Sequence, residues 1–298
     1  MSQTLRSPVV PTNHWRSPLL GAPIALDVPA GPLECFVRGA GPAVVFAHGW
    51  LANANLWRKV VDALADRFRC LTLDLPLGAH RVPCRADADL SATGMGALVA
   101  AALDALDATA AILVGNDSGG AYAQLAVARA PERVARLVLN SCETPYDAFP
   151  PPPFDGLPQA AASPASLRTL LGALRDPAVR RSPAAYGWLI KHPIDDAAFD
   201  SYVLPCLEDA AVLHDTSKVM AGASTAAVHA AGGKLIASFR APVLFAWGTE
   251  DRVFPIAHAE RYAAALADGR VVRIEDAYSF TPEDQPARLA AAIAAFAG

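Results

Sequence analysis

The run ILVGNDSGGAYAQLAVARA, Ile112 to Ala130, limits the fold of this chain more than any other stretch. Its first half is β-branched and aliphatic, its second half has the apolar spacing of a helix, and almost nothing separates them. A chain that passes from strand to helix so abruptly must turn sharply, which leaves little room beside the turn for anything larger than a glycine α-carbon. Gly115 and Gly119 are spaced to flank a single tip residue, Asp117. Setting Ser118 at the tip would force Asn116 into the crowded position. Asp117 is therefore preferred, with Ser118 as the alternative.

Around this joint, short aliphatic strands alternate with Ala- and Leu-rich helical patterns, the arrangement of an α/β domain with a mostly parallel sheet and helices on both faces. Strands are expected at ECFVRG, AVVFAHG, CLTLDLP, AAILVGN, RLVLNSC, PVLFAWG and RVVRIED. Helices are expected at LWRKVVDALAD, GMGALVAAALDALD, GAYAQLAVARA, AHAERYAAALAD and PARLAAAIAAFA. From residue 143 to 239 the alternation lapses. That segment opens with TPYDAFPPPPFDGLP, whose prolines continue neither sheet nor helix, and then turns helical. The expected organisation is a core of residues 1–142 and 240–298 with a helical lid, 143–239, inserted in it.

Composition narrows the function. At 53% hydrophobic and 18% charged residues, the 298-residue chain is expected to fold around a large core. A net charge of −4, with 25 scattered Lys and Arg, offers no basic field for nucleic acid. The start of the chain is interrupted by prolines and lacks an apolar leader, and the apolar run 97–114 carries Asp104 and Asp107. A cytoplasmic protein with no membrane span is expected. Five cysteines (Cys35, Cys70, Cys84, Cys142, Cys206) show no metal-ligand spacing and read as reduced thiols. No cofactor is called for.

Three further segments complete a pattern: VVFAHGW upstream of the joint, LDLP between, and WGTEDRVFP after the lid. With GNDSGG in their midst, they resemble the α/β-hydrolase superfamily, and within it the aspartate-nucleophile branch of haloalkane dehalogenases and epoxide hydrolases. The resemblance runs from about Gly31 to Gly298 and is weakest in the lid. It implies an α/β-hydrolase fold with Asp117 as nucleophile and the N–H groups of Trp50 and Ser118 as oxyanion hole. It also places the histidine-orienting acid at Asp251, or alternatively at Glu143. A carboxylate nucleophile suits an sp³ carbon bearing a leaving group, whereas serine suits acyl transfer. The N–H groups at the turn are expected to hold Asp117 ionised.

The pattern breaks in DAYSFTPEDQP, where the family's catalytic histidine aligns with Ser279. A hydroxyl is a far weaker base than imidazole. Three replacements are open. Asp251 acts through a water held by Ser279, which is preferred; or a lid histidine, His192 or His214, reaches the site; or hydrolysis has been abandoned. His48 reads as structural, and Asn53 and Asn55 as caps of the following helix. Position 118 holds neither the tryptophan of many haloalkane dehalogenases nor the arginine of fluoroacetate dehalogenases, which favours epoxides over halides, with Tyr186 and Tyr202 as candidate lid acids. The leading expectation is a hydrolase acting on a small or mid-sized apolar molecule. The alternatives are a lyase or cyclase using Asp117 and Asp251, and an inactive ligand-binding homologue.

Overall fold

The computed structural model describes residues 14–298. The first part of the proline-interrupted start, residues 1–13, lies outside the described residues. The strands are β1 (Ala22–Val28), β2 (Gly31–Arg38), β3 (Ala43–Ala47), β4 (Arg69–Leu73), β5 (Ala111–Asn116), β6 (Val134–Asn140), β7 (Val243–Gly248) and β8 (Gly269–Ile274). They form one sheet in the order β1-β2-β4-β3-β5-β6-β7-β8. From β4 to β8 neighbouring strands run parallel, while β1 and β2 form an antiparallel edge. This is the α/β-hydrolase fold that the sequence led us to expect.

The central strands β5 and β7 are buried at every position, which explains their unbroken aliphatic sequences. β1 is the strand not anticipated from sequence. Its first four residues are exposed and it carries Pro23, a residue that an edge strand accommodates because one N–H row faces solvent.

The parallel strands all end on one side of the sheet, and the functional candidates lie just past those ends. Trp50 follows β3, Asp117 follows β5, Glu143 follows β6, Asp251 follows β7 and Ser279 follows β8. Two buried amides tie the strand ends together. Asn116 donates to the carbonyls of Asn140 (2.9 Å) and Ser279 (2.8 Å), and Asn140 donates to the carbonyl of Ala246 (2.6 Å) and to Thr281 Oγ1 (2.7 Å).

Between β6 and β7 the chain is helical: Leu157–Ala160, Pro164–Gly172, Pro177–Arg180, Asp196–Val203, Pro205–Glu208, Ala210–Ala221 and Thr225–Ser238. The last of these packs on helix Ser118–Arg129 beside the sheet. The roof over the strand ends comes from the earlier part, 149–220. Asp284 fastens one side of that roof. Its carboxylate accepts from the N–H groups of Lys191 (3.0 Å), His192 (2.9 Å) and Tyr278 (2.9 Å), while Phe280 N–H donates to the Leu189 carbonyl (2.7 Å). Among the described residues no helix is long and apolar enough to cross a membrane. All five cysteines are free.

Candidate active site

Asp117 sits at the joint between β5 and helix Ser118–Arg129 with φ 54° and ψ −143°, a backbone conformation uncommon for a side-chain-bearing residue. The neighbouring glycines are what make it feasible. A Cβ at Gly119 would lie 2.4 Å from the His48 carbonyl oxygen, one at Gly115 2.6 Å from that of Gly119, and one at Gly49 2.2 Å from Asp117 Oδ1. Asn116 points beneath the strand ends and is fully buried, so the frame with Ser118 at the tip is not the one the backbone adopts.

The Asp117 carboxylate is held asymmetrically. Oδ1 accepts from the N–H of Ser118 (2.7 Å) and of Trp50 (3.2 Å), whereas Oδ2 accepts no hydrogen bond among the described residues. The Trp50 N–H is shared with Ser118 Oγ (2.9 Å), and the Trp50 ring donates to Thr216 Oγ1 (2.7 Å). One oxygen is thus pinned in the place where charge would build up on a tetrahedral adduct, and the other is left for chemistry. Burial nevertheless outweighs these donors and raises the Asp117 carboxyl to about 6. At pH 7 it is still ionised by roughly ten to one.

Asp117 lines a cavity of about 210 Å³ beneath the roof. The walls are mostly apolar, with Phe149, Phe154, Leu171 and Met220 among them, and the polar side chains that reach it are Asp117, Ser118, Glu143, Ser182, Tyr186 and Trp50. Glu143, 2% exposed, lines the cavity, and its buried Oε2 has no hydrogen-bond partner. Burial first, and then the charge of Asp117, hold its carboxyl well above the usual range.

Asp251 and Ser279 are brought to each other but not to this cavity. Ser279 is fully buried and donates to Asp251 Oδ1 (2.7 Å), which also accepts from the N–H groups of Val253 and Phe254 (both 2.9 Å). Burial raises the Asp251 carboxyl to about 6, and its Oδ2 has no hydrogen-bond partner. Ser279 gives its hydroxyl proton to Asp251, and neither residue lines the cavity. The carboxyl that shares the cavity with Asp117 is Glu143.

No histidine lines the cavity. His192 is bound to Asp276 (3.0 Å) and His214 is exposed on helix Ala210–Ala221. His48 uses both ring nitrogens, donating from Nδ1 to the Gly49 carbonyl and accepting the Leu75 N–H at Nε2 (both 2.9 Å). Burial lowers its pKa to about 4, so the ring is neutral. Asn53 Oδ1 caps the turn Ala54–Trp57 by accepting the Asn55 N–H (2.9 Å).

Of the two tyrosines, Tyr186 lines the cavity with its hydroxyl donating to the Leu51 carbonyl (2.6 Å). Tyr202 does not reach the cavity. Its hydroxyl donates to Glu283 Oε1 (2.8 Å), within a buried cluster where Arg58 bridges Glu283 and Asp195. It is removed from the candidate acids. Sequence reading missed this cluster, because its members lie far apart along the chain.

Residues 42–286 match the family described as alpha/beta hydrolase fold. The chain is similar to an epoxide hydrolase of Caballeronia sordidicola, 33% identical over 41% of this chain and 38% of that one. It is also similar to a haloalkane dehalogenase of Mesorhizobium japonicum, 31% identical over 56% of this chain and 47% of that one. An alpha/beta hydrolase fold protein from Burkholderia ambifaria superposes with a TM-score of 0.75 at 22% identity, covering 91% of this chain and 96% of that one.

Proposed function

Since the chain belongs to the alpha/beta hydrolase fold family, we propose that it is a hydrolase in which Asp117 displaces a leaving group from an sp³ carbon of a small apolar substrate. The observation that carries this reading is the asymmetric hold on Asp117, with Oδ1 pinned by two N–H groups and Oδ2 open toward the cavity. Attack by Oδ2 forms an alkyl ester whose carbonyl oxygen is Oδ1, already facing the donors that would stabilise the oxyanion of hydrolysis. The apolar walls favour an uncharged substrate and keep bulk water from competing. Similarity to an epoxide hydrolase and a haloalkane dehalogenase, both of which act on such carbons, supports the same reading.

The test is intact-mass analysis after brief exposure to styrene oxide and to 1-bromobutane, with the modified peptide sequenced. An adduct on Asp117 is expected, absent in Asp117→Asn. Under single turnover in oxygen-18 water, the label enters the Asp117 carboxylate before it enters product, because water attacks Cγ and not the substrate carbon. Label arriving directly in product would make Asp117 a base instead.

The absence of a cavity histidine favours one second reading, a ligand-binding protein that has lost turnover. It predicts neither adduct nor label with any probe.

A further inference from the structure

Glu143 has the features of a reacting group and no structural duty that explains them. The side chain is 2% exposed, lines the Asp117 cavity, and leaves Oε2 unpartnered. Its main-chain carbonyl is fixed by Gln124 Nε2 (2.7 Å), a residue on the helix that begins at Asp117, so the two carboxyls are mounted on a common support. An ionised, unpaired carboxylate in such a place costs several kcal/mol, and the remedy is to hold a proton. The other hydroxyls of the cavity are poorer acids, and the Tyr186 proton is already given to the Leu51 carbonyl.

We propose that Glu143 is the proton donor, and afterwards the proton acceptor, of the reaction at Asp117, and that this suits the site to epoxides. The proposal rests on the nucleophile reading given above. In the first step Asp117 Oδ2 bonds to an epoxide carbon, the carbon–oxygen bond of the ring breaks, and the departing oxygen takes the Glu143 proton. The products are a hydroxyalkyl ester on Asp117 and a Glu143 carboxylate. In the second step water adds to Asp117 Cγ and gives a proton to Glu143, while Oδ1 carries the charge against the Trp50 and Ser118 N–H groups. The adduct collapses as the Cγ–O bond to the alkyl group breaks, and the departing oxygen takes the hydroxyl proton of the adduct. A diol leaves, Asp117 is ionised and Glu143 is protonated, as at the start. The work done by imidazole elsewhere in the superfamily is performed here by the second carboxyl.

A bromide ion leaves without a proton, which provides the discriminating experiment. Rapid-quench mass analysis compares wild type with Glu143→Gln, using styrene oxide and 1-bromobutane as probes. The variant is expected to open the epoxide ~10²–10⁴-fold more slowly. Its bromide alkylation slows by less than about tenfold, and whatever ester it forms from the epoxide persists where wild type clears it. Thermal unfolding confirms that the variant is folded. Should it not fold, Glu143→Ala supplemented with formate takes its place, and restored epoxide opening with rising formate supports the proposal. Epoxide opening and ester clearance at wild-type rates in Glu143→Gln, or no response to formate, overturns it while leaving the Asp117 reading intact. If wild type itself gives no adduct with either probe, the Asp117 reading falls first and takes this one with it.

Discussion

Replacing Asp117 with Asn removes a charge the fold resists holding, and the structure sets the size of the effect. The carboxyl rises from 3.8 to about 6, with burial as the largest cause. Folded protein therefore binds this proton more tightly than unfolded protein, and the stability it contributes is complete below pH 3.8 and is lost as pH climbs through about 6. Above that pH the ionised group costs the fold about 3 kcal/mol. Asparagine keeps an Oδ1 for the Ser118 and Trp50 donors and never ionises. Urea unfolding of both proteins at pH 4 and pH 8 should show them nearly equal in acid, with the variant more stable by about 3 kcal/mol in alkali. The variant should also be unable to form the ester. A gap between variant and wild type that is absent at pH 8, or that does not change with pH, would refute the view that burial governs this carboxyl.

Three further substitutions probe the surroundings. Gly49→Ala places a Cβ 2.2 Å from Asp117 Oδ1 and so must displace it, lowering the alkylation rate by ~10²-fold while the fold loses ~1–3 kcal/mol; mass analysis and thermal unfolding read the two effects separately. Glu283→Ala strips the buried Arg58 of its closest partner, and denaturant unfolding should record a loss of ~3–5 kcal/mol, a loss below about 1 kcal/mol contradicting the importance of the cluster. Ser279→Ala deletes a donor to ionised Asp251, raising that carboxyl further above about 6 and costing ~1–2 kcal/mol, chiefly at pH values where Asp251 is charged. Because Ser279 lies outside the cavity, alkylation of Asp117 should stay within about twofold of wild type in that variant.

Much of this architecture is legible in the sequence wherever the physics is local. The sharp joint is visible because Gly115 and Gly119 stand at the only spacing that frees Asp117, and the backbone contacts at those glycines bear out the steric reasoning. Strands β3 to β7 are legible because burial along most of their length demands largely aliphatic runs. β1 escapes that test: paired on one side only and largely exposed, it needs no such run and tolerates Pro23. What remains hidden depends on how the roof folds back. Asp251 and Glu143 are equivalent on paper, each just past a strand end, but the roof of residues 149–220 closes a cavity over Glu143, while Asp251 is bonded to Ser279 beyond the end of β8. Tyr186 and Tyr202 differ for the same reason. Sixteen residues apart on the roof, they end in separate environments, one against the Leu51 carbonyl and the other inside the Arg58 cluster.

The fastening at Asp284 has a mechanical consequence. Three backbone donors on one carboxylate, together with the Phe280 to Leu189 bond, make residues 189–192 and 278–284 move as a single piece. Any traffic into the cavity that parted them would sacrifice the Lys191, His192 and Phe280 links at once, whereas Leu170 stands half exposed at the cavity wall with no such fastening among these four bonds. Position 279 lies within the riveted segment 278–284, beside the Phe280 link.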